Sequence, residues 1–328
     1  DEDTTTTGNV LTNDNDIDGD PLTVSEVAGS TLAVGVATAT TGGGSITINA
    51  DGSYIYDPGT AFNFLAQGDA ATDSIQYTVD DGQGGTDTAT LFITVNGVND
   101  APTAQDDAVT ASEDTILNGD LTADNGNGPD SDPDQGDIPF ISEVNGEAAN
   151  IGSQITLGSG ALLVVNGSGT FTYDPNDQFE TLNSGETATD SFTYTLQDSE
   201  GATDTATVTV TINGNADLPV ATDDTATTDE DSATSGAVLT NDTDADGDTL
   251  SVSEVNGQAG NVGNQITLGS GALLTLNGDG TFDYDPNGAF EGLAVGETGT
   301  DSFTYTVSDG NGGTDTATVT ITIDGVND

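Results

Sequence analysis

Apolar and polar residues alternate along much of the chain, and the alternation is clearest near its C terminus. Every second residue is apolar in residues 303–307 and again in residues 317–323, and a Gly-rich segment lies between the two stretches. Strict alternation is typical of a strand with one buried face, because successive side chains point to opposite faces of a sheet. The pattern therefore predicts a β-hairpin with a Gly-rich turn.

A second hairpin is predicted upstream of the first. Leu274 and Leu276 lead through the turn residues 277–280 into Phe282 and Tyr284. Asn, Asp and Gly at such a turn favour the tight backbone geometry that joins antiparallel strands. Two hairpins close together along the chain favour an all-β fold.

A short apolar pair lies between the two hairpins. Phe290 and Leu293 are three residues apart, a spacing that suits one helical turn crossing between sheets. The same pair recurs as Phe62 with Leu65 and as Phe179 with Leu182.

The chain consists of three copies of one unit. TDTAT begins at Thr86, Thr203 and Thr314, and YDP begins at Tyr56, Tyr173 and Tyr284. Both series advance by 117 and then by 111 residues, which is the signature of a repeat architecture. We therefore predict three domains, residues 1–100, 101–217 and 218–328. About seven strands in about 110 residues is typical of an immunoglobulin-like β-sandwich, and three in tandem predict an extended rod.

The first copy lacks twelve leading residues that the other two copies have. These leaders, residues 101–112 and 218–229, have the pattern of a first β-strand. Either the chain continues upstream, or another molecule supplies that strand. A sandwich without an edge strand exposes unpaired backbone groups, which favours strand addition from a partner.

The composition excludes most kinds of chemistry. The chain has 57 Asp plus Glu and no Lys, Arg, His or Cys, so its formal net charge is -57. It can form no basic surface for nucleic acid, no disulfide, and no imidazole or thiolate metal site. No stretch is apolar for the roughly 18 residues that a membrane span requires, so direct membrane insertion is not expected. Oxygen atoms remain as the only metal ligands.

One group of carboxylates lies in an Asp-rich loop of each copy. Alternating Asp residues in a turn direct their oxygens toward one centre, as a hard cation with 6 to 8 oxygen ligands requires. The likeness to an EF-hand is partial, because Ser25 stands at position twelve and a strand follows the loop. A solvated acidic turn is the alternative. The candidate Ca²⁺ ligands are Asp14, Asp16, Asp18, Asp20, Asp130, Asp132, Asp134, Asp137, Asp242, Asp244, Asp246 and Asp248.

A second group of acidic residues is predicted at the domain junctions. Like charges about 4 Å apart repel by about 4 kcal/mol at an effective dielectric constant of 20, and a divalent cation would reverse that repulsion. A plain charged linker is the alternative. The candidates at the first junction are Asn99, Asp100, Asp106, Asp107, Glu113 and Asp114, and those at the second are Asp217, Asp223, Asp224, Glu230 and Asp231. Asp81, Asp198 and Asp309 follow the penultimate strands and are expected to approach the junctions from the domain ends.

These motifs together resemble a known family. GVNDAP, NDTDADGDTLSV and the segment from GDGTFDYDP to GTDTATVTITI are similar to the bacterial VCBS and cadherin-like (tandem-95) repeats of RTX-type adhesins and other surface proteins. The resemblance covers all three copies, although QDSEGA replaces the DGxGG turn in the second and Ala216 replaces Asn99 at the second junction. It implies cadherin-like domains, export to the cell surface or beyond, calcium-dependent rigidity between domains, and a stalk role in adhesion and biofilm. By analogy with cadherin linkers, the junction residues would be the ligands.

Several functions agree with these observations. We expect a non-enzymatic segment of an extracellular stalk, whose partners are neighbouring repeats of the same or identical chains and a cell-surface or matrix ligand. A filament whose subunits exchange the first strand is an alternative. A calcium-dependent carbohydrate-binding module is another, although a sugar platform usually uses an exposed aromatic residue and the chain has no Trp. Glycoside hydrolysis needs one distinct pair of carboxylates, whereas these acids recur in triplicate on turns.

Overall fold

The three copies fold as three similar units of β-strand, described by a computed structural model for residues 1–327. The strands of the first repeat are β1 (Thr6–Asn9), β2 (Thr23–Val27), β3 (Thr38–Ala39), β4 (Ser45–Ile48), β5 (Ser53–Asp57), β6 (Ala70–Asp80) and β7 (Thr86–Asn96). Two short 3-10 helices interrupt them, at Val10–Asn13 and Thr31–Ala33.

The second and third repeats each add one strand to this pattern. The second contains β8 (Asp107–Ser112), β9 (Leu117–Asp120), β10 (Phe140–Val144), β11 (Ile155–Thr156), β12 (Leu162–Val165), β13 (Thr170–Asp174), β14 (Thr187–Gln197) and β15 (Thr203–Asn213). The third contains β16 (Asp224–Asp229), β17 (Thr234–Ala237), β18 (Ser251–Val255), β19 (Ile266–Thr267), β20 (Leu273–Leu276), β21 (Thr281–Asp285), β22 (Thr298–Ser308) and β23 (Thr314–Asp324). Their 3-10 helices are Ala148–Asn150, Val238–Thr240 and Ala259–Asn261.

Each repeat contains two sheets. The second repeat has the strand orders β10-β14-β15-β8 and β11-β12-β13-β9, and the third has β18-β22-β23-β16 and β19-β20-β21-β17. Among the described residues of the first repeat, the orders are β1-β5-β4-β3 and β2-β6-β7. Residues of both sheets contribute to one buried apolar cluster per repeat. The predicted all-β sandwich architecture is confirmed.

Both predicted hairpins of the third repeat are present. β22 and β23 pair antiparallel from Thr298 opposite Asp324 to Ser308 opposite Thr314, and β20 pairs antiparallel with β21. Phe303 and Tyr305 point inward and are at most 2% exposed. Burial of one such side chain contributes about 1.5 to 3 kcal/mol, so the alternating pattern fixes which face of the hairpin meets the core.

The leader segments form the predicted first strand, but the strand begins later than the leader does. β8 starts at Asp107 and pairs in parallel with β15, and β16 pairs in parallel with β23. Earlier leader residues form single bridges to the Asp-rich loop, Thr103 with Ser131 and Val220 with Thr243. The leader therefore ties that loop to the last strand of its own repeat.

The apolar pair between the hairpins forms a single turn. The backbone N–H groups of Leu65, Leu182 and Leu293 donate to the carbonyl oxygens of Phe62, Phe179 and Phe290 at 2.9–3.0 Å. The turn is too short to count as a helix in the secondary structure. The two residues between the members of each pair form the middle of this turn.

A glycine directly follows the last strand of each repeat and lies against this turn. A Cβ atom at Gly214 would stand 2.3 Å from the carbonyl oxygen of Leu182 and 2.5 Å from that of Asn183. Gly97 and Gly325 have the same close approach to the turns of their own repeats. Only glycine fits at these positions, because backbone atoms cannot move aside as a flexible side chain can.

We expect Gly214→Ala to destabilise the second repeat by about 1 to 3 kcal/mol, as overpacked substitutions do. Differential scanning calorimetry of the full chain measures the change as a lower melting temperature of one repeat. Gly158→Ala is the matched control, because a Cβ there meets no atom within 4 Å. Equal stability of the two variants would contradict the close approach.

An aspartate at a matched position of each repeat accepts several hydrogen bonds, and that of the first repeat is fully buried. Asp73 is 0% exposed, and its carboxylate accepts hydrogen bonds from the Thr40 hydroxyl, from Tyr56 Oη at 2.8 Å, and from the backbone N–H of Gly42 and Ser74 at 2.6 and 2.7 Å. Asp190 and Asp301 accept from Ser159 with Tyr173 and from Ser270 with Tyr284 in the other two repeats. Donors on two sides satisfy the carboxylate without a cation.

Among residues 1–327, no helix has the length and apolar character needed to cross a membrane.

Candidate calcium centres at the domain junctions

A buried glutamate stands at the C-terminal end of each repeat. The first strand, or the segment in its place, carries this glutamate to the point where the last strand ends. Its Oε1 accepts one backbone hydrogen bond, from Val98 to Glu2 at 2.8 Å, from Asn215 to Glu113 at 2.6 Å and from Val326 to Glu230 at 2.9 Å. All three glutamates are at most 2% exposed. The other carboxylate oxygen, Oε2, is buried with no hydrogen-bond partner among residues 1–327.

At both junctions, the linker that lies beside the buried glutamate contacts the Asp-rich loop of the following repeat. The backbone N–H of Asp100 donates to Asp134 Oδ2 at 3.1 Å, and that of Asp217 donates to Asp246 Oδ2 at 2.8 Å. Linker acids and loop acids were predicted as two separate groups, and that separation is wrong. The two groups meet because the loop lies at the N-terminal end of its sandwich, directly beneath the linker.

Carboxylates converge where the three segments meet. At the first junction, one carboxylate oxygen each of Glu2, Asp100 and Asp134 lie within 4.8 Å of one another. At the second junction, the same holds for Asp114, Glu180 and Asp217. Asp244, Asp246 and Asp248 form a third such group within the loop of the third repeat. Convergence of this kind is costly for anions unless a cation joins them.

Buried oxygens without partners line both junctions. Besides the glutamate oxygens, the buried side-chain oxygens without a hydrogen bond among the described residues include Asn63 Oδ1, Asn99 Oδ1, Asp100 Oδ2, Asp132 Oδ2 and Asp134 Oδ1 at the first junction, and Asp217 Oδ2, Asp244 Oδ2 and Asp246 Oδ1 at the second. A native fold satisfies most buried polar atoms, so a cluster of exceptions at matched positions indicates a missing ligand. An all-oxygen donor set fits a hard cation such as Ca²⁺.

The pKa shifts of the junction carboxylates also indicate that a cation would stabilise the clusters. Burial raises the pKa of Glu2, Asp100 and Asp134, and neighbouring carboxylates add to that shift, Asp3 among them for Glu2 and Asp100. Burial likewise raises the pKa of Glu113 and Asp217 at the second junction. These shifts mean that the ionised cluster is unfavourable by itself, and a divalent cation would offset the repulsion.

The turn after each penultimate strand contributes another aspartate. Asp198 is 2% exposed, and its Oδ2 accepts a hydrogen bond from Asn99 Nδ2 at 2.8 Å. Asp309 is 6% exposed and accepts backbone bonds from its own turn, including Asn311 at 2.7 Å. The structure therefore brings Asp198 to the first junction as predicted. Asp81 accepts from Gln83 and Gly85 in the corresponding turn of the first repeat.

Four acids lie at a different end of their repeat from the one predicted. Glu113 and Asp114 were grouped with the first junction, but Asn215 donates to both of them, so they belong to the second. Glu230 contacts Val326 at the C-terminal end of the third repeat, and Asp231 directly follows it. The prediction was wrong because β8 and β16 run parallel to the second half of the last strand and carry the residues after them to the C-terminal end of the repeat.

Another set of predicted ligands lies inside the repeats, away from the junction clusters. Asp107 is 3% exposed, and Asp130 accepts from Tyr194 Oη at 2.9 Å. Burial, together with the charge of Asp130, raises the pKa of Asp107 to about 6. Asp106 accepts from the backbone of Thr207 instead. In the other repeats, Asp224 and Asp242 surround Tyr305, Asp223 accepts from Thr318, and Asp14 accepts from Tyr77.

The remaining loop acids accept hydrogen bonds either from the turn after the penultimate strand or from the loop itself. Asp137 accepts from Ser199 Oγ, and Asp248 accepts from Asn311 Nδ2. In the first repeat, Asp16 Oδ1 accepts from the backbone N–H of Asp18 and Asp20. The bonds to Asp16 hold the loop of the first repeat as a compact turn, and the bonds to Asp137 and Asp248 tie the other two loops to the turn after the penultimate strand.

Sequence reasoning missed three residues of the junction clusters. Glu2 was not proposed, although it aligns with Glu113 and Glu230. Glu180 and Asn63 were also missed, because they lie in the turn between the hairpins, where only the flanking apolar pair was considered. The repeat register was the signal that could have found them, since position 63 matches position 180.

The comparisons with known proteins identify the fold family. The family model of the bacterial cadherin-like domain matches residues 1–97, 99–214 and 216–325. The chain belongs to the bacterial cadherin-like domain family. Its cadherin-like repeats therefore occur three times in tandem, as the resemblance implied.

Relatives of this cadherin-like chain include a curated protein and solved structures. The calcium-binding lectin RapA2 of Rhizobium johnstonii is 30% identical in an alignment of 223 residues that covers 63% of this chain and 89% of the relative. Among solved structures, protocadherin gamma C5 EC1-3 has a TM-score of 0.50 at 15% identity and covers 99% of this chain and 97% of that one. Mouse cadherin-23 EC22-24 has a TM-score of 0.45 at 13% identity, with coverage of 96% and 88%. The protocadherin structure shows a shared fold.

Proposed function

We propose that this chain is a non-enzymatic repeat segment of an extracellular adhesin stalk, which Ca²⁺ bound at the domain junctions stiffens for a role in adhesion and biofilm. The observation that carries the proposal is the set of buried carboxylate oxygens without partners at both junctions. Similarity to a calcium-binding lectin supports it. Extracellular calcium would fill even sites with a Kd of about 10⁻⁴ to 10⁻³ M.

The residues that would hold the cation come from both sides of each junction. Glu2, Asp100 and Asp134 would do so at the first junction, with Asp132, Asn99 and Asp198 completing the oxygen set. Glu113, Asp114, Glu180, Asp217, Asp244 and Asp246 would do so at the second. A bound cation neutralises the mutual repulsion of these groups and ties the linker to the next sandwich. The repeats themselves then supply length and rigidity.

Isothermal titration calorimetry of the full chain with calcium tests the proposal. We expect saturable binding that weakens about tenfold or more in Glu2→Gln and Glu113→Gln, because each substitution removes one charge from the ligand set. Glu147→Gln is the matched control, because Glu147 is exposed. Solution scattering on the same samples tests the rod. Absence of binding, or an equal loss in the control, would contradict the junction sites.

Carbohydrate binding is a second candidate, favoured by the lectin among the relatives. A glycan array probed with the full chain, with calcium and with EGTA, tests it. Calcium-dependent binding of a glycan would support a lectin role, and a blank array would count against that role without touching the stalk proposal.

Strand exchange between chains is a third candidate. In the described residues, β7 has no neighbour at the edge where β15 and β23 pair with β8 and β16. A strand from a second copy with the leader pattern of residues 101–112 would fit this edge in parallel. Light scattering during gel filtration measures the assembly state, and a monomer at all concentrations would remove this candidate.

A further inference from the structure

The two junctions carry different side chains at two matched positions. Asn63 at the first junction corresponds to Glu180 at the second, and Asn99 corresponds to Ala216. Asn63 Oδ1 is buried and has no hydrogen-bond partner in the described chain. A carboxylate oxygen of Glu180, by contrast, lies within 4.8 Å of the Asp114 carboxylate. The second junction thus has a negative charge where the first has a neutral amide.

The first junction also has an inserted residue that bonds directly across it. Alignment of the loops 130–137 and 242–248 leaves Gln135 as the one extra residue. Its backbone N–H donates to the carbonyl oxygen of Phe64, in the turn of the preceding repeat, at 2.9 Å. This bond joins two sandwiches without any ion.

Direct hydrogen bonds are therefore distributed unequally. The first junction has the Gln135 bond, the bond from Asn99 to Asp198 and the bond from Asp100 to Asp134. The second has the counterpart of the last of these, from Asp217 to Asp246. The counterparts of the other two are not found among the hydrogen bonds of residues 1–327. Ala216 has no side-chain amide that could donate as Asn99 does, and the shorter loop of the third repeat lacks the residue that corresponds to Gln135.

The negative charge at the second junction, like its smaller number of hydrogen bonds, weakens that junction when no cation is bound. One carboxylate oxygen each of Asp114, Glu180 and Asp217 lie within 4.8 Å of one another. Ionised Asp114, Glu180 and Asp217 repel one another, and this repulsion pushes the linker at Asp217 away from the end of the second repeat unless a divalent cation joins them. The first junction has its own converging acids, Glu2, Asp100 and Asp134, but Asn63 adds no further charge to them.

We infer that the second junction keeps a fixed orientation only with a divalent cation bound, whereas the first junction keeps its orientation without one. Glu180 and Ala216 make the second junction a cation-dependent hinge, and Gln135 and Asn99 make the first a permanent joint. The inference rests on the proposed function, because it takes Ca²⁺ as the cation that the junction clusters bind.

Distance measurements on the full chain test this inference. The chain contains no Cys, so two introduced cysteines are the only residues that a thiol-reactive spin label modifies. Thr88, Thr205 and Thr316 are exposed and occupy matched positions on β7, β15 and β23. Spin labels at Thr88→Cys with Thr205→Cys span the first junction, and labels at Thr205→Cys with Thr316→Cys span the second. Electron double resonance then gives a distance distribution for each, with about 2 mM calcium or with excess EGTA.

In EGTA we expect the distribution across the second junction to widen by about twofold or more, as at a released hinge, while the first changes little. Calorimetric titration of the same labelled samples reports calcium binding separately. Equal widening at both junctions, or more widening at the first, would overturn the inference. Two unchanged distributions in a chain that binds calcium would overturn it and leave the proposed sites standing. A chain that binds no calcium would overturn both.

Side-chain exchange between the junctions gives a second test. The double variant Glu180→Asn with Ala216→Asn gives the second junction the side chains of the first. In EGTA we expect its distance distribution across the second junction to be narrower than that of the chain without these two substitutions. Deletion of Gln135 is expected to widen the first distribution in EGTA. Glu147→Gln removes the same charge from an exposed position of the second repeat and should change neither width. Failure of the exchange to narrow the second distribution would contradict the roles given to these two positions.

Discussion

We expect calcium at about 100 times its Kd to raise the melting temperature of the full chain by about 10 °C or more, and EGTA to reverse the rise. A ligand at 100 times its Kd stabilises the folded state by about 2.7 kcal/mol per site, provided that it does not bind the unfolded chain. One kcal/mol corresponds to about 4 to 8 °C for a domain of this size. The effect is large because the buried carboxylates of Glu2 and Glu113 repel their neighbours until a cation joins them. Differential scanning calorimetry at fixed ionic strength measures it.

The controls for this result are a second cation and a matched pair of variants. Mg²⁺ is smaller and keeps its water ligands, so we expect a smaller rise at equal concentration. Glu113→Gln should lose most of the rise at the second junction, whereas Glu147→Gln should keep it. Superposed scans in calcium and EGTA would contradict the junction sites, and the acidity would then require another explanation, such as adaptation to high salt.

Removal of the Asp73 carboxylate is expected to cost about 3 kcal/mol or more, because hydrogen bonds to a charged group contribute about 1.5 to 3 kcal/mol each and buried donors left without a partner add to the loss. Asp73→Ala leaves the hydroxyls of Thr40 and Tyr56 and the N–H of Gly42 without their acceptor. Asp73→Asn keeps the shape and should lose less. Calorimetry of the first repeat within the full chain measures both.

The same carboxylate predicts a loss of stability in acid. Burial acts to raise the pKa of Asp73, but the bonds from Thr40, Gly42, Tyr56 and Ser74 outweigh it and hold the pKa below the ordinary value of 3.8. Its contribution is therefore present above that value and is lost as the pH falls through the lower, folded-state pKa. Asp69→Asn, at an exposed position of the same repeat, is the control. If Asp73→Ala and Asp69→Asn melted alike at pH 7, the network would not carry the stability assigned to it.

The sequence was sufficient to predict the strands and the repeats, because both depend on local pattern. Alternation placed Phe303 and Tyr305 in the core, and the recurring motifs gave the register of the copies. Neither pattern states which strands pair in parallel. The pairing of β8 with β15 was therefore not predicted, and it decides the end of the repeat at which Glu113 lies.

The sequence indicated which acidic segments would supply candidate ligands, but it did not indicate which of their residues would meet. Asp100 and Asp134 were both proposed, but their contact depends on how the linker lies over the next sandwich, which no local pattern encodes. Glu180 was missed because a single acid beside an apolar turn carries no motif of its own. The buried network around Asp73 was missed for the same reason, although its recurrence at Asp190 and Asp301 was visible in the repeats.

The parallel pairing of β8 with β15 also decides how a repeat responds to a pulling force. Tension along the chain enters the second repeat at the start of β8 and leaves at the end of β15, so it drives two parallel neighbours in opposite directions. Their register runs from Asp107 beside Val208 to Ser112 beside Asn213, and these backbone bonds carry the load together in shear. In a hairpin pulled at its open end, the bonds would instead break singly and in sequence. Single-molecule stretching of the full chain is expected to show abrupt rupture of the second and third repeats, and gradual unzipping would contradict a shear geometry.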